Sequence, residues 1–409
     1  MLRFLVFILF LVSSFLSAKI IKINTGNEQN TIASAIKNAS DYDTIIVSRG
    51  RYTESNLIIS KKLRMIGVND PVIDAAKGGS IFHVRSSGVT IRGFVLINTT
   101  VSYTVENSAI KIENADSCRI ENNQFKNNFF GIYLLGAANC LIKGNRFVSY
   151  GKSEAGSGNG IHLWKCRNIT IEGNRIQGHR DGIYLEFAQN CLVKDNYSSD
   201  NRRYGMHFMF SNSCTYEHNT FTGNSAGVAV MFTRYVNMHN NRFENNWGTG
   251  SYGLLLKEIY NSTISGNTFN NNSVGLYSEG SNKIIIENNI FIKNGWAVRL
   301  MANSMDNVFR NNDFLMNTFE ISTNSTQNFN NFDDNYWSQY KGYDLNKDGK
   351  GDIPHHPVSL YSILVEKNST ALLLLRSFLV EILNYSEKVF PILTPEKLVD
   401  NSPSMSRIN

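Results

Sequence analysis

Two sulfur-bearing side chains and an imidazole recur at matching places of this chain. The stretch R-Y-G-M-H-F-M-F at 203–210 places His207 and Met209 two residues apart, and Met231 follows in G-V-A-V-M at 227–231. Thioethers with an imidazole form the soft donor set that Cu(I) prefers. They can act together only if the chain stacks position 209 against position 231. The alternative is that both methionines cover apolar surface beneath a loop or a partner. A second candidate is D-L-N-K-D-G-K-G-D at 344–352, with Asp344, Asn346, Asp348 and Asp352 at the first, third, fifth and ninth places of a calcium-type loop and Gly349 at its sixth. His355 stands where a bidentate glutamate belongs, so a weak calcium site and a plain acidic turn both fit. The third is His179, Arg180 and Asp181, with Asp200, Arg202 and Arg203 about one repeat later, a gathering of acids and bases that could handle a sugar acid. Paired carboxylates at fixed spacing, which glycoside chemistry needs, are missing, as are a nucleophile motif and a phosphate-binding glycine loop.

What would bring distant residues together is a repeat. From Cys118 to Asn312 an asparagine recurs about every 22 residues, at Asn123, Asn145, Asn174, Asn196, Asn219, Asn241, Asn267, Asn289 and Asn312. Between them lie Gly131, Gly160, Gly182, Gly205, Gly227, Gly253 and Gly275, each 14 residues before the next asparagine. The runs after each glycine alternate apolar and polar, as do C-L-I-K-G-N at 140–145 and I-T-I-E-G-N at 169–174, which is the period of a strand. Short strands at a period of 20 to 30 residues predict a solenoid, here an all-β, right-handed parallel β-helix, the hand following the rule for parallel crossovers. Stacking then places equivalent residues about 4.8 Å apart. The asparagines become an internal amide ladder, and Cys118, Cys140, Cys191 and Cys214 become small core thiols, with bridges Cys118–Cys140 and Cys191–Cys214 as the alternative. Met206, Phe208 and Met238 turn inward. Two outward rows result: Tyr133, His162, Tyr184, His207, Ala229, Leu255, Tyr277, and beside it Leu135, Trp164, Glu186, Met209, Met231, Lys257, Glu279. A further outward row, Glu121, Lys143, Glu172, Lys194, Glu217, His239, alternates in sign and supports neighbouring strands.

With 42% hydrophobic residues and six prolines in 409, the chain can bury a large core. Residues 1–18 read as a secretory signal peptide, with Arg3 ahead of an apolar run, and a membrane anchor is the alternative, though the segment is short for a span. The net charge of +6 contains no Lys/Arg run of the kind that binds nucleic acid. Residues 19–340 form the β-helix, capped at its start by a short helix over Thr31 to Ala39. Insertions before Gly160 and Gly253 fall at one corner, a binding face or tolerated loops. Residues 341–357 hold the acidic loop, and 358–409 hold a helical segment and a proline-punctuated tail. The apolar run 371–383 is too short to span a bilayer and predicts a helix packed on the last coil or offered to a partner, with Leu372, Leu375, Phe378 and Leu379 as its docking residues.

The amino-terminal stretches A-I-K-N-A, D-T-I-I-V-S-R-G-R-Y, L-R-M-I-G and P-V-I-D resemble the carbohydrate-binding and sugar-hydrolase β-helix class. A narrower resemblance covers nearly the whole mature chain. G-N-G-I-H-L-W at 158–164, D-G-I-Y-L-E-F at 181–187, R-Y-G-M-H-F-M-F at 203–210, N-Y-W at 335–337 and G-Y-D-L-N-K-D-G-K-G-D-I-P at 342–354 resemble the NosD family, periplasmic proteins needed to mature nitrous-oxide reductase. The resemblance implies a non-catalytic β-helix that works with an ABC transporter, made of an ATPase and a permease, and with a lipoprotein copper chaperone to supply copper to the reductase. Lys347 and Lys350 depart from the family's more acidic loop. A β-helix that binds or modifies a polysaccharide is the competing expectation.

Overall fold

A computed structural model describes residues 18–25, 31–151, 153–325, 328–389 and 398–408. The expected signal peptide lies almost wholly outside them. Among the described residues the strands form three all-parallel sheets of 14, 12 and 13 strands, and each coil contributes one strand to each sheet. The coil around His162 is typical: Ile161–Trp164 joins the 12-stranded sheet, Thr170–Glu172 the 14-stranded sheet and Arg175–Gln177 the 13-stranded sheet. This is the expected parallel β-helix, and every coil is in register with its neighbours.

The asparagine ladder runs through the corner between the last two of those strands. Asn219 is fully buried. Its Nδ2 donates to Asn241 Oδ1 at 3.0 Å and to the carbonyls of Val193 and Glu217 at 2.9 Å. Its Oδ1 accepts from the Asn196 backbone N–H at 2.9 Å and from Asn196 Nδ2 at 3.0 Å. The residue before each rung is left-handed, with φ between 52° and 65° at Asn122, Gly144, Gly173, Asp195, His218, Asn240 and Gly266. Glycine, asparagine and aspartate enter that region at least cost, which accounts for the recurring G-N, N-N and D-N pairs. The sequence reading missed a second ladder at the next corner, where Asn224 Oδ1 accepts from Asn201 N at 3.0 Å and Asn246 Oδ1 from Asn224 N at 3.0 Å. The periodic glycines face this ladder: a Cβ on Gly205 would lie 2.6 Å from Gly227 O and 2.8 Å from Asn224 Nδ2.

Inside the tube, rings stack along the axis, as at Phe243–Phe269 (4.8 Å) and Phe269–Phe291 (4.6 Å). Met206, Phe208 and Met238 are buried there as expected. All five cysteines are buried and free. The Cys118 N–H donates to Cys140 Sγ at 3.4 Å, and the Cys191 N–H to Cys214 Sγ at 3.5 Å. The first coil is covered by helix α1 (Ile32–Asn38), whose Thr31 cap accepts from Ser34 N and whose Ile32, Ala35 and Ile36 are buried.

The other end differs from expectation. Helix α2 (Leu360–Lys367) lays Tyr361 and Val365 against Phe319, and its Glu366 pairs with Arg299 at 2.5 Å. The single helix expected over 371–383 is broken: a 3-10 turn covers Ser369–Leu374, Arg376 is left-handed at φ 68°, and helix α3 begins at Phe378 and runs to Val389. Asn368, extended at φ −145°, starts the separate turn by accepting from Thr370 N. The tail does not trail free either. Asp400 forms a parallel bridge to Phe332 and an antiparallel one to His355. Its buried Oδ2 accepts from Asn335 N, Asn335 Nδ2 and Trp337 Nε1, each at 3.0 Å. A carboxylate thus ends the amide ladder, because the last rung needs an acceptor and has no further coil to supply one.

Asn219→Ala should lower unfolding stability by about 3 kcal/mol, since it leaves a buried N–H and buried carbonyls unpaired. The shift in guanidinium midpoint against the parent chain checks this.

Candidate metal centre

The strand Tyr204–Met209 lies in the 12-stranded sheet between Asp181–Glu186 and Ala226–Arg234. Its register pairs His207 with Tyr184 and Ala229, and Met209 with Glu186 and Met231. Both outward rows therefore form as the repeat predicts, and the two thioethers are neighbours on adjacent strands. Their surroundings are less open than expected. Met209 and Met231 are half-buried, and His207 is only 5% exposed, covered by aromatic neighbours in its own row.

Those neighbours form a continuous stack. Tyr133 meets His162 edge to face at 4.9 Å, His162 meets Tyr184 at 4.6 Å, and Tyr184 lies parallel to His207 at 4.4 Å and 6°. Tyr204 closes the far side of His207 at 4.9 Å. The Tyr184 hydroxyl donates to Met209 Sδ at 3.5 Å. Neither ring nitrogen of His207 has a hydrogen-bond partner among the described residues, although Nδ1 lies 3.7 Å from Asp181 Oδ2. A buried imidazole without hydrogen-bond partners among the described residues, on the same sheet face as two thioethers, carries the donor types that suit a soft cation.

Charge near the site is paired. Burial raises the Asp181 carboxyl, but the bonds from Arg203 and the nearness of His207 outweigh that and bring it down to about 2. Arg203 Nε lies 2.8 Å from Asp181 Oδ1 and Nη2 2.5 Å from Oδ2. His162 is pushed down by burial, while Glu186, 3.7 Å from it, is held below the ordinary carboxyl range mainly by that histidine. The proposed sugar-acid cluster is split up by the fold. Asp200 accepts from Gln177 at 3.0 Å, Arg202 bonds the Gly151 carbonyl, and His179 is buried with neither ring nitrogen partnered among the described residues. Asp181 keeps Arg203 as a close ion-pair partner, with Arg180 Nη2 3.9 Å from the same carboxylate. The described part of the insertion before Gly160 reaches over this edge, with Glu154 Oε1 3.9 Å from Arg203 Nε.

The acidic loop folds on itself. Asp344 accepts from Gly349 N and Asp348 N, Asp348 from Lys350 N, and Asp352 from Leu345 N. His355, at the twelfth place, pairs instead with Glu320 at 2.8 Å. Among the described residues no group of three or more His, Cys, Asp or Glu side chains is placed to hold a metal ion, and no calcium is assigned to the loop.

One aromatic row escaped the sequence reading. Phe187, Phe210 and Phe232, each left-handed at φ 52–53°, follow Glu186, Met209 and Met231 and stack at 5.1 and 5.2 Å. The recurring phenylalanine in L-E-F, F-M-F and V-M-F was its signal. The row directly follows the positions of Met209 and Met231 in the chain and leaves Phe187 and Phe210 exposed.

The family described as periplasmic copper-binding protein (NosD) matches residues 36–153 and 148–346. The chain belongs to the NosD family. It is 29% identical over 354 residues to the probable ABC transporter binding protein NosD of Stutzerimonas stutzeri, covering 82% of this chain and 80% of the relative. The NosD relative of Pseudomonas aeruginosa is 27% identical, with 88% and 87% covered. Among solved structures, the A-module of the mannuronan C-5 epimerase AlgE6 of Azotobacter vinelandii superposes with a TM-score of 0.54 at 14% identity, covering 75% of this chain and 88% of that module. That last likeness concerns the β-helix alone. The NosD family is periplasmic by its description. Among the described residues no helix is long and apolar enough to cross a membrane.

Acid should unfold the chain through His179. Burial holds its ring at about 4 against an ordinary 6.5. The unfolded chain takes up a proton as pH falls through 6.5 and the folded chain does not until about 4, so stability present above 6.5 is lost across that window, up to about 3 kcal/mol at about 1.4 kcal/mol per pH unit. Denaturation midpoints measured from pH 7 to 4 should fall steeply in the parent chain and less steeply in His179→Leu.

Proposed function

We propose that this protein takes up Cu(I) in the periplasm and passes it on for assembly of nitrous-oxide reductase. His207, Met209 and Met231 hold the metal on the outer face of the 12-stranded sheet. The observation that carries this reading is the register of Met209 on Met231 beside a buried imidazole whose nitrogens lack partners. Membership of a copper-binding family supplies the metal's identity. A lipoprotein copper chaperone delivers the ion across the row of Phe187, Phe210 and Phe232, and the relatives' names support work with an ABC transporter, here an ATPase with a permease. The chain acts as a metal-delivery factor and not as a catalyst. The polysaccharide reading rests on the fold, and its best carboxylate, Asp181, is already engaged by Arg203.

The helical segment offers the docking surface for the transporter. Leu372 is not part of it, because it packs towards Phe319 and Tyr361. Leu375, Phe378 and Leu379 are exposed, as are Leu373 and Ile382. Five such side chains left in water mark a contact surface.

Anaerobic titration of the full chain with Cu(I) against a chromogenic chelator should show about one ion bound. Met209→Leu with Met231→Leu should weaken binding at least tenfold without unfolding the chain, since Leu matches Met in volume. Unchanged affinity in that double variant would refute the site.

A further inference from the structure

Tyr184 touches two members of the proposed donor set at once. Its ring lies flat on the His207 imidazole at 4.4 Å, and its hydroxyl lies 3.5 Å from Met209 Sδ. The direction of that bond is fixed by chemistry, because a thioether has no proton to give and the phenol does. A phenol's ordinary pKa of about 10 keeps that proton in place throughout the neutral range. A second acceptor stands on the same face: Glu186 lies two residues further along the same strand, in register with Met209.

We propose that Tyr184 is a positioning residue that fixes the Met209 thioether by its hydroxyl and the His207 ring by its face, and that the hydroxyl weakens the hold of Met209 on a soft cation. The inference rests on the reading of Met209 as a ligand. In the metal-free chain the O–H occupies one lone pair of the sulfur and draws electron density from it. A cation that takes the sulfur competes with the hydroxyl, which turns to Glu186. No bond other than this hydrogen bond is broken, and no proton leaves the site. The same contact that orients the ligand therefore limits its affinity, which suits a carrier that must release its metal. His162 supports the arrangement from behind, with its ring 4.6 Å from Tyr184 and its Nε2 3.7 Å from Glu186 Oε2.

The test compares Tyr184→Phe and Tyr184→Leu with the parent in the full chain, by Cu(I) competition against a chromogenic chelator. Tyr184→Phe keeps the stacked ring and loses only the hydroxyl, so Cu(I) should bind about fivefold tighter, the worth of one hydrogen bond. Tyr184→Leu loses the stack as well and should bind more weakly than the parent. Independently of any metal, the ε-methyl resonance of Met209 in 13C-methyl-methionine spectra should shift in Tyr184→Phe. A purely structural role for the tyrosine would leave that resonance in place. Unchanged Cu(I) affinity in Tyr184→Phe, with weakened binding in Met209→Leu, overturns the role of the hydroxyl and leaves the site standing. Unchanged affinity in Met209→Leu overturns the site reading itself, and this inference falls with it.

Discussion

The amide ladder sets the geometry of this molecule. An asparagine side chain carries a donor and an acceptor on one rigid plane, so each rung can serve the coil on either side while also satisfying turn backbone. Asn219 does this with a carbonyl on Asn241, another on Val193 and the N–H of Asn196. Such a network tolerates no slip. Moving one coil by a residue would strand several buried polar groups at a cost of about 1–3 kcal/mol each, and would also turn its apolar side chains outward. Register is therefore held at every coil by the same local chemistry.

Fixed register converts sequence periodicity into surface chemistry. On the 14-stranded sheet it alternates charge, as where Lys143 meets Glu172 at 2.9 Å, which adds modestly to strand pairing. On the 12-stranded sheet the outward rows instead carry rings, imidazoles and thioethers. Stacked aromatic side chains protect one another from water, so His207 can face away from the core and still be almost inaccessible. The low exposure keeps water from the ring, whose nitrogens have no hydrogen-bond partner among the described residues.

A solenoid must also end. Helix α1 closes the first coil with apolar side chains. The last coil is closed differently, by a tail segment whose Asp400 supplies the acceptor that a further asparagine would have offered. Between Trp337 and that cap the chain makes its excursion through α2 and α3. The antiparallel bridge of His355 with Asp400 holds the base of the excursion, and Arg299–Glu366 ties α2 to the sheet face. An exposed apolar segment is thereby mounted on the rigid tube at a defined place.

Much of this was legible in the chain itself. The 14-residue interval from glycine to asparagine specified the coil, and the alternation around it specified which residues turn in, so the pairings of Met209 with Met231 and of Tyr184 with His207 followed from counting. Those features are local and repeated, and repetition makes them visible. Contacts that happen once left no such trace. The cap by Asp400 joins residues 65 apart from Asn335, with no second example to reveal it. The break at Arg376 depends on a left-handed backbone that an arginine rarely adopts, and hydrophobicity alone read through it as one helix. The burial of His207 and the bond from Tyr184 to Met209 arise from rotamers chosen by packing across three coils. Periodicity could say which side chains share a face, but how deeply each one sits there was decided by its neighbours in space.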